Sequence, residues 1–226
     1  MSDTGAKPLT LPVMPVKRGT LQDEIYRRVC DLILDGEIAP GQLVTIQGLA
    51  DAFGVSAMPV REALQRLTTA KALTVISGRS IGIPKLSLDL LTDLRRVRLE
   101  VETLAAVWAL ARLTSEDIAR LDHLVSLMDS AIADGDVKRY LHGNREFHFK
   151  IYSASGSEVL LGLIETLWLR ISPFFNLLHE AGNYGVANAA HKEIVRALTS
   201  HDPEALERGM RSDIESAAEV LERMLK

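Results

Sequence analysis

Apolar residues recur every three to four positions along most of the chain, which is the period of α-helices. Near the start this pattern predicts a helix over residues 21–34, ended by glycine- and proline-containing turns. A short second helix over residues 46–54 has Thr45 in position to cap it, and a third helix over residues 57–70 begins after the cap residue Ser56. The pattern therefore predicts helix, tight turn and helix.

The period changes once, in the stretch TVISGRSIGIP. Two β-branched runs, residues 74–76 and 81–83, flank a turn of small and polar residues, which predicts a β-hairpin. From residue 87 the helical period returns and continues nearly to residue 225. Breaks near residues 114, 135, 156, 183 and 202 divide this part into about six helices.

These elements predict a mainly α fold with two domains. A flexible leader is expected over residues 1–18, a winged helix-turn-helix domain over residues 19–85, and an all-α helical bundle over residues 86–226. The helical bundle is expected to bind an effector and to form a dimer.

Charge is distributed unevenly between these domains. The chain has a net charge of −4, but residues 1–85 have 10 basic and 8 acidic side chains, whereas residues 86–226 have 16 and 22. The first part therefore has a charge of +2, the sign expected of a DNA-binding domain, and the second has −6. A single cysteine, Cys30, no signal-peptide order and no long apolar run predict a cytoplasmic protein without a membrane partner.

Three segments of the first domain carry a family resemblance. GVSAMPVREALQRL (residues 54–67), preceded by ILDGEIAPGQLV (33–44) and LADAFG (49–54), resembles the DNA-binding domain of the GntR family of bacterial transcription regulators. The resemblance implies that double-stranded operator DNA is the partner, that the third helix enters the major groove, and that the hairpin tip contacts DNA.

The residues predicted to contact DNA are those at the start of the second and third helices and at the hairpin tip: Gln47, Ser56, Ala57, Met58, Pro59, Arg61, Ser77, Gly78 and Arg79. Arg61 alternatively pairs with Glu62 or Gln65 on the surface. The family usually has an arginine where this chain has Ala57, and often an arginine or glutamate where it has Gln47. A different operator sequence is therefore expected.

The helical domain has polar side chains spaced four residues apart on apolar helices. Arg98 and Glu102 form one such pair, and Asn144 and His148 form another in NREFHFK. Residues 98–106 (RLEVETLAA), 144–149 (NREFHF) and 191–198 (HKEIVRAL) resemble the helical ligand-binding domain of FadR-like GntR regulators, known as the FCD domain.

That resemblance implies a site for an effector and a divalent metal ion such as Zn²⁺, Ni²⁺ or Mn²⁺. Four residues would surround the ion, and Arg98 would face a small carboxylate; the four are Asn144, His148, His191 and Asp213. The metal-binding members normally have Asp, His, His and His at these positions, so Asn144 predicts weaker metal binding. The alternative is a hydrogen-bonded cluster of the same side chains around ligand or water, without metal.

Both tryptophans, Trp108 and Trp168, lie in apolar helices and are expected in the core, with Trp168 also able to border the cavity. The sequence thus predicts a homodimeric repressor controlled by a small organic acid, and no enzyme activity. Two alternatives remain: a DNA-binding protein that needs no ligand, and a metal-dependent enzyme that uses His148, His191 and Asp213.

Overall fold

The computed structural model describes residues 21–77 and 80–226. The first domain contains three helices and three short strands: α1 (Leu21–Leu34), β1 (Leu43–Thr45), α2 (Ile46–Phe53), α3 (Ala57–Thr69), β2 (Thr74–Ser77) and β3 (Ser80–Gly82). The predicted leader, residues 1–18, lies outside the described residues. The winged helix-turn-helix prediction is confirmed.

Local signals end these helices where the sequence predicts. The hydroxyl of Thr45 accepts a hydrogen bond from the Gly48 N–H and caps α2, and Gly54 ends that helix in the left-handed conformation, with φ of 66°. The apolar stripe of α3 is buried against α1, which holds the two helices together.

Strand β1 was not predicted. It pairs antiparallel with β3, with Val44 opposite Ile81, so the sheet has the order β1-β3-β2. Because β1 has only three residues and is mostly exposed, its conformation depends on pairing with β3 rather than on its own pattern.

The second domain is all-helical, as predicted. Its elements are α4 (Leu88–Ala109), α5 (Ser115–Asp134), α6 (Val137–Ala154), α7 (Glu158–Ile171), a 3₁₀ turn (Ser172–Phe175), α8 (Asn176–Glu180), α9 (Tyr184–Ser200) and α10 (Pro203–Leu225). Helix α10 packs against α4 and α9, while α6 packs against α4 and α5. A cavity lies between these helices.

The end of α7 was also not predicted. Apolar residues continue past residue 171, but Pro173 has no N–H to continue the helical hydrogen bonding, so the chain turns and restarts as α8. This turn contacts the first domain. Among the described residues, no helix is long and apolar enough to cross a lipid bilayer.

One core assignment was wrong. Trp168 is buried, but the Trp108 side chain is 47% exposed on the outer face of α4. Apolar neighbours along a helix do not determine which face is covered by the rest of the protein.

Candidate functional site

The N-terminal end of α3 is exposed, as a groove-binding helix requires. Met58 is 60% exposed and Arg61 is also on the surface, whereas Pro59 is buried beneath them. Pro59, which was assigned to the DNA-contacting set, therefore lies where it packs inside the domain rather than on its surface.

Neither Ser56 nor Arg61 is engaged with the rest of the described protein. Ser56 occupies the cap position of α3, but its hydroxyl makes no capping hydrogen bond. Arg61 forms no hydrogen bond or ion pair with another described residue, and in particular none with Glu62 or Gln65. Both side chains are thus available to an external partner such as a phosphate group.

The remaining predicted DNA contacts lie on either side of α3. Gln47 is exposed on α2, where its amide donates to Asp51 at 2.7 Å, and Ala57 is half-buried. Ser77 is exposed at the end of β2, and the wing residues Gly78 and Arg79 lie outside the described residues.

In the second domain, helices α6, α9 and α10 bring three potential metal ligands together. His148 Nε2 lies 3.1 Å from His191 Nε2, and each of these nitrogens lies 3.3 Å from an oxygen of Asp213. Both histidines are 1% exposed or less.

Hydrogen bonds determine which nitrogen of His148 carries the proton. Tyr152 donates its only hydroxyl proton to Glu102 at 2.5 Å, so its oxygen can only accept from His148 Nδ1, at 3.1 Å. Burial, reinforced by Glu102, raises the pKa of Tyr152 well above its usual value, which keeps the hydroxyl protonated. His148 Nε2 is therefore left with its lone pair.

His191 is held in the same way by Asn188. The Asn188 amide nitrogen donates to Val125 O and to Asp129, which turns its oxygen toward His191 Nδ1 at 3.1 Å. His191 Nδ1 must then be the donor, and His191 Nε2 also keeps its lone pair.

Two lone pairs and a carboxylate thus point at one another. Burial lowers the pKa of His191 more than Asp213 raises it, which favours the neutral imidazole. Burial raises the pKa of Asp213, but positive charge and hydrogen bonds from the two histidines outweigh this effect and lower it, so the carboxylate is ionised when a proton or a cation lies among the three groups. Such an arrangement repels itself unless a cation or a shared proton lies among the three groups.

The donor set fits a divalent metal ion. A tetrahedral zinc site with bonds of about 2.0–2.1 Å has ligand atoms about 3.3 Å apart. The observed separations of 3.1 to 3.3 Å match that spacing. Three protein ligands leave one position open for a ligand, and Tyr152 and Asn188 orient the two imidazoles from behind.

Arg98 lines the cavity beside this cluster but is already paired. Its Nε lies 2.6 Å from Glu102 Oε1 and its Nη2 lies 3.3 Å from Glu102 Oε2. Burial disfavours the charge on Arg98, but Glu102 offsets this effect and the pKa of the guanidinium is raised. Only Nη1 and one Nη2 proton remain for an external ligand.

The cavity between the helices is narrow, with about 20 Å³ free to a water-sized sphere, which is room for about one water. Asn144 lines it, and no described residue forms a hydrogen bond with its side-chain amide. The structure thus brings Asn144, Arg98, His148 and Asp213 to the cavity wall, with His191 behind them.

The opposite side of α6 contacts the first domain. Arg145, next to Asn144, lies 2.5 Å from an oxygen of Asp31 and 3.1 Å from one of Asp35, both near the end of α1. Two turns earlier along α6, Lys138 lies 2.7 Å from Glu37. A single helix therefore carries cavity residues on one face and domain contacts on another.

A second contact joins the domains at the turn after α1. The Asn176 amide of α8 donates to the Gly36 carbonyl at 3.2 Å. Gly36 has φ of 72°, a conformation that favours glycine, and a Cβ there would lie 2.6 Å from Asn176 Nδ2, so a larger residue would displace the Asn176 amide.

Tyr152 and Asn188 are not among the residues predicted for the site. Their spacing is the one sequence signal for them: Tyr152 follows His148 by four residues and Asn188 precedes His191 by three, which places each pair on one helix face. The partners that fix their orientation, such as Glu102, come from other helices, so the sequence has no local signal for them.

Comparison with protein families identifies both domains. The family model described as bacterial regulatory proteins, gntR family, matches residues 21–83, and the model of the FCD domain matches residues 93–216. The HTH-type transcriptional regulator McbR of Escherichia coli (strain K12) is 35% identical over 148 residues, 66% of this chain and 67% of McbR. The Nta operon transcriptional regulator of Aminobacter aminovorans is 34% identical over 134 residues, 58% of this chain and 62% of that protein.

Solved structures show the same architecture. The structure of E. coli McbR/YncC superposes with a TM-score of 0.84 at 27% identity, covering 92% of this chain and 100% of that one. A putative GntR regulator from Rhodococcus sp. RHA1 superposes with a TM-score of 0.72 at 23% identity, covering 88% and 96%. The second similarity concerns the fold alone.

Proposed function

This chain belongs to the GntR family of bacterial regulatory proteins and is a transcriptional regulator with an FCD domain, and from that premise we propose that it is an effector-controlled repressor. It binds a palindromic operator as a homodimer, and a small carboxylate in the helical domain controls that binding. The observation that carries this proposal is the convergence of His148, His191 and Asp213 beside Arg98. His148 lies on α6, the helix that also contacts the DNA-binding domain.

The division into domains at residues 85 and 86 is part of the proposal. Residues 83–87, between β3 and α4, have no regular secondary structure, which suits a connection between two units. The first unit would bind DNA through α3, with Ser56, Met58 and Arg61 facing the groove and Gln47 and Ser77 beside them.

Dimerisation is supported by an exposed apolar stripe. On α4, Val97, Leu104 and Trp108 are 41%, 42% and 47% exposed and lie on one helix face. On the neighbouring α7, Val159 and Leu163 are 78% and 53% exposed. Exposed apolar side chains grouped on two helices in contact favour an interaction site, and a second copy of the chain would cover them.

We propose that His148, His191 and Asp213 hold one divalent ion, with Zn²⁺, Ni²⁺ and Mn²⁺ as candidates. When bound, the ion supplies positive charge and an open coordination position for a carboxylate. Metal analysis of the purified protein tests this proposal: His191→Ala should abolish stoichiometric binding, while His123→Ala, which alters an exposed histidine, should not.

Control of DNA binding would run through α6. A ligand that displaces Asn144 or His148 moves the same helix that holds Asp31 and Asp35 through Arg145. A shift of this helix would change the position of α1, and with it the spacing of the two DNA-binding domains in a dimer.

Fluorescence anisotropy with DNA flanking the coding sequence tests the whole proposal. Specific binding should appear at moderate salt, at a palindrome with half-sites about one helical turn apart, and should weaken when metal and carboxylate are both added. If the affinity for DNA is the same with and without metal and each acid, the ligand-independent regulator is favoured instead.

One observation favours a second candidate function. Two histidines and one carboxylate form the ligand set of non-haem iron oxygenases. Loading with Fe²⁺ under anaerobic conditions, followed by oxygen and candidate acids, would reveal turnover. The DNA-binding domain supports the regulator, since an enzyme has no use for it.

A further inference from the structure

Trp168 has a buried polar group that the fold leaves unsatisfied. Its side chain is 1% exposed and lines the cavity, with its ring 5.3 Å from the ring of His148. The indole nitrogen, Nε1, is buried and has no hydrogen-bond partner among the described residues. Buried donors are nearly always bonded, so an unbonded one on a side chain that lines a cavity is a candidate to bind an acceptor that the protein itself does not supply.

Two more donors on the cavity wall are unengaged. The Asn144 side chain forms no hydrogen bond with a described residue, and Glu102 leaves the Nη1 group of Arg98 unbonded. Indole, amide and guanidinium groups can all donate hydrogen bonds, and two of these three can only donate. A ligand that satisfies them must be rich in oxygen acceptors.

The charges of the pocket limit the ligand further. Arg98 and Glu102 cancel each other, and Asp213 offsets one of the two charges of a divalent ion. The metal-loaded pocket then has one net positive charge, which a single carboxylate neutralises. A dicarboxylate would leave one negative charge buried, which is unfavourable.

Resting on the effector site proposed above, we propose that Trp168 and Asn144 bind the effector directly, through hydrogen bonds from the indole and amide N–H groups to the oxygens of a small monocarboxylate. The narrow cavity limits the size of the ligand: with about 20 Å³ free, even an acid of a few carbon atoms requires the wall to move outward, and larger acids require more. Asn144 is then an effector-binding residue rather than the fourth metal ligand.

The test uses the full chain loaded with Zn²⁺ and measures binding of acetate, lactate, succinate and propylamine by calorimetry. Trp168→Phe keeps the aromatic packing and removes the N–H. It should weaken lactate or acetate binding about tenfold, the effect of losing one hydrogen bond to a charged group, while zinc affinity stays unchanged.

Trp108→Phe is the matched control, since it makes the same change at an exposed indole. It should bind acids as the wild type does, and it leaves Trp168 as the one tryptophan, whose fluorescence should change when acetate or lactate binds. Asn144→Leu, which replaces the amide with an apolar side chain of the same branched shape, should also weaken acid binding and provides a second variant if Trp168→Phe is unstable.

The outcomes separate the two proposals. If no acid binds the zinc-loaded wild type, the effector site itself is wrong and this inference falls with it. If acids bind the wild type, Trp168→Phe and Asn144→Leu equally well, the effector site stands and the donor assignment is overturned. Tighter binding of succinate than of the monocarboxylates overturns the charge argument.

Discussion

At the scale of the residue, the position of one carboxylate separates this pocket from the metal-binding pattern that it resembles. The resemblance implies Asp, His, His and His, whereas the chain has Asn144, His148, His191 and Asp213. In this chain the carboxylate lies on α10 instead of α6, so the donor set keeps one negative charge, and the α6 position, Asn144, places a neutral amide at the cavity wall. In the proposed metal site, Asp213 would offset part of the metal affinity that is expected to be lost at Asn144.

Asn144→Asp gives the pocket a second carboxylate beside the metal ligands. Metal affinity should rise, because two negative charges then face the ion, and affinity for acetate or lactate should fall, because the net positive charge of the loaded pocket is lost. Calorimetric titration with Zn²⁺ and then with acid measures both. Unchanged metal affinity would mean that residue 144 lies too far from the ion to interact with it.

Arg61→Ala should weaken operator binding, since its side chain is exposed on α3 and unpaired within the described chain. A lost arginine contact to a base or phosphate costs about 1–3 kcal/mol, or roughly 5- to 150-fold in affinity. Anisotropy titration against the operator measures the change. Arg208→Ala, an exposed arginine on α10, is the control and should leave the affinity unaltered.

Sequence spacing predicted the cavity residues at this scale but not their protonation. Asn144 and His148 had to share a helix face because they are four residues apart. The proton on His148 depends on Tyr152 and, through it, on Glu102 of another helix, and contacts between helices have no periodic signal.

At the scale of the element, sequence predicts helices best where chemistry marks their ends. Breaks are predicted near residues 114 and 135, and there Thr114 and Asp117 form a capping box at the start of α5 and Gly135 ends that helix with φ of 67°. Strand β1 and the turn after α7 were missed for opposite reasons. Strand β1 forms only because it pairs with β3, which is distant in the sequence. At the end of α7 the apolar pattern continues past Pro173, so the pattern alone does not show that the helix ends there.

The element that links the two domains can be tested with Arg145→Ala. This variant removes the contacts of α6 with Asp31 and Asp35 and leaves the cavity residues in place. Metal and acid should bind as before, whereas the acid should lose most of its effect on DNA affinity. Calorimetry and anisotropy on the same preparation measure the two properties.

Arg139→Ala is the control for this experiment. Arg139 lies on the same helix, but its side chain pairs with Asp134 of the same domain at 2.7 Å. If the acid changes the DNA affinity of Arg139→Ala as it does that of the wild type but hardly changes that of Arg145→Ala, α6 couples the effector site to the DNA-binding domain. If the acid has the same effect on both variants, the coupling does not depend on the Arg145 contacts.

At the scale of the whole molecule, the apolar stripe on α4 and α7 predicts that the domains act in pairs. Leu104→Glu places a charge in the middle of this stripe and should shift the protein from dimer to monomer, because burying an unpaired carboxylate is unfavourable. Sedimentation velocity measures the shift, and operator affinity should fall with it. Val186→Glu, at an exposed position on α9, should remain dimeric.

Because α6 has cavity residues on one face and domain contacts on another, mutations that abolish the response to inducer are expected at particular positions. Residues 31, 35, 138 and 145 lie outside the proposed operator and effector sites, yet substitutions there disturb the contacts between the domains. If the proposed control by an inducer holds, alleles at these positions should produce cells that repress normally and fail to respond to inducer. Such uninducible alleles should cluster along the strip between the domains, whereas constitutive alleles should fall in α3 and in the dimer stripe.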